Sequence, residues 1–222
     1  MPEKDIPSFE PQHAFNLGYS QSKWVAEAVL TSLSKKYLTI ATSILRVGQL
    51  SGDTIKGIWN PREAWPLMID ASLFSFSGVK LPDLASLMLP AIDWLPVDLA
   101  AKAICETIKI GTNKEVEFLQ ISNKNSRNHI SWHQFQRWFS TWAEEKGIIF
   151  NIVESKIWLN ELEEQQHKAK ALIPLWRKNW QDDEAITNPL VVRNEIDDGI
   201  LCAKYIWRLL DSIYERRNPE YY

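Results

Sequence analysis

The chain has 222 residues, 45% hydrophobic and 24% charged, and its 25 basic and 28 acidic side chains leave a net charge of −3. That length and hydrophobic share suffice for one globular domain with a sizeable core and exclude a disordered chain. The near balance of charge excludes a general nucleic-acid binder, and eight glycines against eleven tryptophans favour apolar surfaces over phosphate cradles.

Residues 1–17 are rich in proline and polar groups and read as an irregular lead-in. Residues 20–37 turn helical: Trp24, Ala28, Leu30 and Leu33 give a broken 3.6 spacing, and Lys35-Lys36 suit the C-terminal end. Residues 38–47 are β-branched and end at Gly48, the pattern of a buried strand. A loop over 48–61 leads to a helix over 62–76, with Pro66 disturbing its first turns. Pro96 or Asp98 opens a helix through Ala101, Ile104 and Ile108 that stops before Gly111. Residues 116–121 form a second strand. Ser131 then caps an amphipathic helix carrying Phe135, Trp138, Phe139 and Trp142 as far as Gly147. A third strand over 148–153 and helices over 155–172 and 196–215 complete an α/β pattern. Three short strands fall short of the roughly five or six of a whole doubly wound sheet.

Cys105 and Cys202 lie far apart, outside any spacing that suggests a disulfide framework or a zinc site. The first residues lack the apolar core of a secretory signal, and no apolar run reaches the roughly 18 residues of a membrane span. A cytoplasmic setting with no membrane partner is expected.

The sharpest local feature is Gly18-Tyr19-Ser20-Gln21-Ser22-Lys23-Trp24-Val25-Ala26-Glu27. Tyr19 and Lys23 are four apart at a helix entrance, so both project from one face. An ammonium beside a phenol favours the phenolate, which makes Tyr19 a candidate proton donor to a carbonyl or a developing alkoxide. An ordinary helix start with a surface Tyr and Lys would look the same.

This segment is followed in order by Leu45-Arg46-Val47-Gly48-Gln49-Leu50-Ser51-Gly52, by Gly57-Ile58-Trp59-Asn60, and by Ile92-Asp93-Trp94-Leu95-Pro96-Val97-Asp98-Leu99-Ala100. Together they resemble the terminal thioester reductase domain of non-ribosomal peptide synthetases and hybrid polyketide–peptide synthetases, within the extended short-chain dehydrogenase/reductase family. The resemblance covers residues 18–121 best. It implies a carrier domain as partner, presenting an acyl or peptidyl thioester on its phosphopantetheine arm. In a full-length member, NADPH reduces that thioester to an aldehyde or alcohol. By the same resemblance, Tyr19 would be the acid, and Lys23 would orient the nicotinamide ribose and tune Tyr19.

The family's glycine-rich phosphate turn and its Ser/Thr partner to the tyrosine should lie upstream of Tyr19, yet no glycine precedes Gly18 and Ser8 is the only earlier serine. The later Gly48, Gly52 and Gly57 do not fit the family spacing. The expectation is therefore a truncated Rossmann-like sheet remnant, residues 1–50 and 91–121, with a mainly helical substrate lobe, residues 51–90 and 122–222. No cofactor is expected for the chain alone. The expected role is product release without NADPH reduction. A non-catalytic docking module and a fragment of an ordinary reductase remain alternatives. The missing strands should uncover the apolar face of the Tyr19 helix and one sheet edge, favouring a homodimer or a trans-acting partner there.

Other constellations read as structural. Ser22 stands where a nucleophile elbow needs its second glycine. His129 and His133 are split by the Ser131 cap and lack a third ligand, so no metal is expected. Cys105 falls on an apolar stripe and reads as core. The acidic runs Glu161, Glu163, Glu164 and Asp182-Asp183-Glu184 read as solvated faces, and Arg177-Lys178 and Arg216-Arg217 as surface charge open to an acidic carrier.

Overall fold

The computed structural model describes residues 18–37, 41–85, 87, 91–112, 115–123, 129–180 and 200–217. The order is α1 (Gly18–Lys36), β1 (Thr42–Val47), β2 (Leu50–Ser51), α2 (Ala64–Phe74), β3 (Val79–Asp83), β4 (Leu95–Pro96), α3 (Val97–Ile110) and β5 (Val116–Ile121). It continues with α4 (Trp132–Glu145), β6 (Phe150–Glu154), α5 (Ser155–Glu164), a 3-10 turn (Lys168–Leu172), α6 (Ile173–Asn179) and α7 (Ala203–Glu215). The fold is α/β with parallel strands throughout, but the strands form three separate pairs: β1–β5, β2–β4 and β3–β6.

Local chemistry sets most boundaries. The Ser131 hydroxyl accepts the Gln134 N–H at 3.1 Å and starts α4. Pro66 is tolerated in the first turns of α2 because the N–H it lacks would have no helical partner there. The single helix expected over 155–172 breaks after Glu164. There His167 Nδ1 accepts the Ala169 N–H at 3.1 Å and caps a new start. Part of the helix expected over 196–215 falls on residues 196–199, which lie outside the described residues, and α7 itself runs from Ala203.

β3 has no counterpart in the sequence reading, because Lys80 and Pro82 argue against a buried strand. Two tryptophans hold it. Trp158 Nε1 donates to the Lys80 carbonyl at 3.0 Å and Trp132 Nε1 to the Pro82 carbonyl at 3.1 Å. These indoles satisfy strand carbonyls that would otherwise be buried without a partner.

The apolar interior falls into two clusters. The larger gathers Trp59, Trp94, Trp132, Phe135, Trp142, Trp158 and their neighbours from α2, α4, α5 and α7. The smaller joins Leu95, Ala100, Ala103 and Ile121 to Leu45, Leu50 and Ile104. In α3 the buried stripe is Ala100 and Ala103, not Ala101 and Ile108, and Ile108 is 68% exposed. Cys105 is exposed, which corrects its assignment to the core. The two alanines let α3 lie close over β2, β4 and β5, and that turns Cys105 outward.

A loop after β2 ties the clusters together. Buried Tyr205 on α7 accepts from Ser51 Oγ and donates to the Gly52 carbonyl, both at 2.7 Å. Burial pushes its phenol well above the usual value, so it stays protonated as a donor. Asp53 accepts the backbone N–H groups of Ile55, Lys56 and Ile58 at 2.7–2.9 Å. Asp98, in the first turn of α3, takes the Thr54 N–H and hydroxyl, while Arg208 of α7 donates to the Thr54 carbonyl.

α1 meets the β1–β5 pair through polar groups. Arg46 grips Glu27 bidentately at 2.7 and 2.8 Å, and Ser34 Oγ donates to the Glu115 carbonyl. Thr31 and Ser34 are the buried residues of this helix, whereas Val25, Val29, Leu30 and Leu33 are exposed. The apolar side of this helix, expected to be uncovered, does face outward. Because both members of the Arg46–Glu27 pair are largely buried, Glu27→Gln should cost about 1–2 kcal/mol in urea unfolding. If stability is unchanged, the pair does not anchor α1.

Candidate active site

Tyr19 and Lys23 occupy the first two turns of α1, with Lys23 Nζ 5.3 Å from the centroid of the Tyr19 ring. Tyr19 is 75% exposed. Within the same turn, Ser22 Oγ donates to the Tyr19 carbonyl at 2.7 Å.

Contacts along α1 fix where its start lies. Ser34 bonds the residue just before β5, at the amino end of the sheet, while Glu27 reaches Arg46, next to the carboxyl end of β1. The helix therefore runs antiparallel to β1 and carries Tyr19 about 12 Å beyond Glu27, past the carboxyl ends of β1 and β5. That edge is where open parallel sheets present ligand sites. Its floor is tight: the Gly48 N–H donates to the Ile121 carbonyl at 2.8 Å, and a Cβ on Gly48 would stand 3.1 Å from that of Ser122. A carbonyl brought to this edge would meet a phenol donor with a cation beside it.

The loop from Gly52 to Gly57 does not fit a dinucleotide pyrophosphate. Its cradle needs glycines that leave space for phosphate oxygens beside backbone N–H groups. Here the space at the two close-packed glycines is filled by the chain itself. A Cβ on Gly52 would overlap the Gly57 carbonyl and lie 2.7 Å from Leu209 Cδ2, and one on Gly57 would lie 2.5 Å from the Arg208 carbonyl. The loop seats α7 instead of an anion.

The remaining constellations find structural partners. His129 Nε2 lies 2.7 Å from the Asn123 carbonyl, and no cluster able to hold a metal ion occurs among the described residues. Arg177 is bound to Glu163 and Asn160, Lys80 to Glu161, and Arg216 to the Ser212 and Trp59 carbonyls. Those arginines are thus engaged within the chain. Asp182-Asp183-Glu184 lies outside the described residues. Trp132, Phe135, Phe139 and Trp142 are buried in the larger cluster.

One constellation has no signal in the sequence. Asp70 of α2 accepts from His167 Nε2 and from Arg217 Nη2, both at 2.7 Å. Burial opposes its charge, but the His167 hydrogen bond and the Arg217 guanidinium outweigh burial and hold the carboxyl below its usual value. The three residues are scattered along the chain, and no local spacing could have joined them. The Asp53 turn lies inside the loop expected over 48–61, and the local signal that could have revealed it is an aspartate four residues before a glycine in Asp53-Thr54-Ile55-Lys56-Gly57.

Several known proteins are similar to parts of this chain. Residues 3–104 match the family described as Male sterility protein. An adenylate-forming reductase of Aspergillus terreus is 29% identical over 104 residues, which is 47% of this chain and 9% of that protein. Adenylate-forming reductase Nps10 of Heterobasidion annosum is 36% identical over 105 residues, again 47% of this chain and 9% of its own length. The non-reducing polyketide synthase SAT8 of Stachybotrys chartarum is 29% identical over 109 residues, 48% of this chain and 4% of that protein. Among solved structures, the terminal R domain from the myxalamid PKS-NRPS biosynthetic pathway superposes with a TM-score of 0.65 at 19% identity, covering 97% of this chain and 54% of that one. The PhqB reductase domain from Penicillium fellutanum gives 0.61 at 16%, covering 93% and 55%. About half of the chain is thus similar to stretches of adenylate-forming reductases and a polyketide synthase, and the fold of the chain resembles that of terminal reductase domains. The chain spans about half the length of those solved domains and under a tenth of the matched relatives.

Two measurements check this geometry. Gly57 has φ of +69° and no room for a Cβ, so Gly57→Ala should destabilise by about 2–4 kcal/mol in denaturant titration. A change within experimental scatter would contradict the seating of α7 on this loop. Asp70 is held below its unfolded value, so the stability it contributes is present above about pH 4. It is lost as pH falls through the lowered native value. Asp70→Asn should flatten that acid limb, and an unchanged limb would show that the cluster is not coupled to folding.

Proposed function

We propose that this relative of the terminal reductase domains takes part in product release from a carrier-tethered acyl or peptidyl thioester. Tyr19 donates a hydrogen bond, and then a proton, to the carbonyl oxygen, and Lys23 supports the charge that develops there. The observation that carries this reading is the Lys23 ammonium over the Tyr19 ring at the carboxyl edge of the β1–β5 pair. When a nucleophile attacks the thioester carbon, its oxygen gains negative charge, and a preorganised donor beside a cation lowers that barrier. As the carbonyl re-forms, its oxygen returns the proton to Tyr19, the C–S bond breaks, and the pantetheine thiolate leaves and takes up the proton released by the nucleophile.

Release by this chain alone proceeds without hydride from NADPH. The nucleophile comes from water or from the substrate itself, as in ring-forming condensation. The filled space around Gly52 and Gly57 supports this reading. The division into a sheet remnant (1–50 and 91–121) and a substrate lobe (51–90 and 122–222) belongs to the same proposal. The two apolar clusters follow that division except for Ile92 and Trp94, which pack with the lobe.

A second reading, a docking module for a carrier or a trans-acting partner, has its own support. Val25, Val29, Leu30 and Leu33 are exposed on the helix that bears Tyr19.

Single-turnover release from a loaded carrier, without NADPH, separates the readings. The catalytic reading expects release above the carrier-only control and a loss of about 100-fold in Tyr19→Phe. Release no faster than the control sinks it, and unchanged release by Tyr19→Phe in the intact assembly favours docking. Titration calorimetry should show no saturable NADPH binding, and micromolar affinity would overturn the non-reductive part alone.

A further inference from the structure

A cleft of about 570 Å³ opens between α2, the 3-10 turn and α7, and neither Tyr19 nor Lys23 lines it. Its volume is in the range of small-molecule sites. Its lining includes the apolar Pro66, Leu67, Phe74 and Ile213 together with the cationic Lys168, Arg216 and Arg217. Asp70 is the one carboxylate among the described lining residues, and His167 and Arg217 already engage it. His167 links the two sides of the cluster: Nδ1 accepts the Ala169 N–H and Nε2 reaches Asp70. The lining therefore carries three cations against one anion.

Arg217 makes this imbalance directional. Its Nη2 serves Asp70, and its face lies over the Phe74 ring with Cζ 5.5 Å from the centroid. Its Nε and Nη1 have no partner among the described residues, and Nη2 keeps a second N–H that forms a two-donor edge with one of them. A guanidinium so braced, with that edge open beside apolar side chains, matches a planar carboxylate attached to an apolar body.

We propose that this cleft is a binding site for a monocarboxylic acid with an aromatic or aliphatic body, held by Arg217 at the carboxylate and by Leu67, Phe74 and Ile213 along the body. The site is independent of the product-release reading and stands or falls separately from it.

The test uses naphthoate with the whole chain, followed by calorimetry and by chemical-shift perturbation, with naphthamide as the uncharged control and phenyl phosphate as the dianion. Naphthoate should bind saturably at sub-millimolar concentration, shift resonances of α2 and α7, and outcompete both controls. Arg217→Lys keeps the charge beside Asp70 but loses the planar fork, and should weaken naphthoate by about tenfold or more with its thermal melt preserved. Should that variant fail to fold, Lys168→Gln, at an exposed lining position, should weaken binding by about twofold and reduce its salt dependence. Four results would overturn the proposal: no saturable binding, equal affinity for naphthamide, shifts confined to other elements, or indifference to the substitution tested. Tighter binding of phenyl phosphate would overturn the choice of carboxylate.

Discussion

The seat of Tyr205 on the turn after β2 is the constraint on which the other elements depend. Its phenol oxygen ties Ser51 and Gly52 to α7, and the Asp53 turn brings Thr54 between Asp98 of α3 and Arg208 of α7. One short loop therefore sets the angle between the smaller apolar cluster and the larger one. Both glycines in it are demanded by backbone approach rather than by a ligand. The scarcity of glycine and its placement have the same cause: where this chain keeps two glycines close together, it does so to lock a joint.

The abundance of tryptophan has a matching explanation. Indole N–H groups reach the carbonyls of β3 from two sides, Trp142 donates to Asp211 at 2.9 Å, and Trp207 donates to the Trp138 carbonyl at 2.8 Å. Their rings meet edge to face, as Trp59 does with Trp94 at 4.7 Å and Trp158 with Trp176 at 5.7 Å. Trp132 and Trp158 fill volume and at the same time satisfy carbonyls of β3, whereas the buried Trp94 N–H has no partner among the described residues. A sheet pair too narrow to satisfy its own edges is completed by side chains.

The sequence made helices with strong caps and the β1–β5 strands legible, because Ser131, Pro96, Gly111 and runs of β-branched residues act locally. β3 was hidden because its Lys80 and Pro82 are stabilised by tryptophans far along the chain. The open apolar face of α1 was expected, but not the polar seat opposite it, because Glu27 and Ser34 find their partners at Arg46 and Glu115 far along the chain. At the candidate site, the i, i+4 spacing of Tyr19 and Lys23 was enough to place both on one helix face. The edge they overhang depended on the Arg46 and Glu115 contacts, and the Asp70–His167–Arg217 cluster depended on three distant segments. Short-range chemistry is written in neighbouring letters, and long-range chemistry is not.

All three strand pairs are parallel and join distant stretches: Thr42 faces Val116, Leu50 faces Leu95, and Val79 faces Phe150. Among the described strands there is no hairpin. No pair can therefore close until the helices between its members have been brought into place, and each closure bears the entropy of a long loop. During synthesis, β1 and β3 must wait for partners that leave the ribosome much later. The helices and their aromatic contacts have to gather first, and the strands record that assembly rather than direct it.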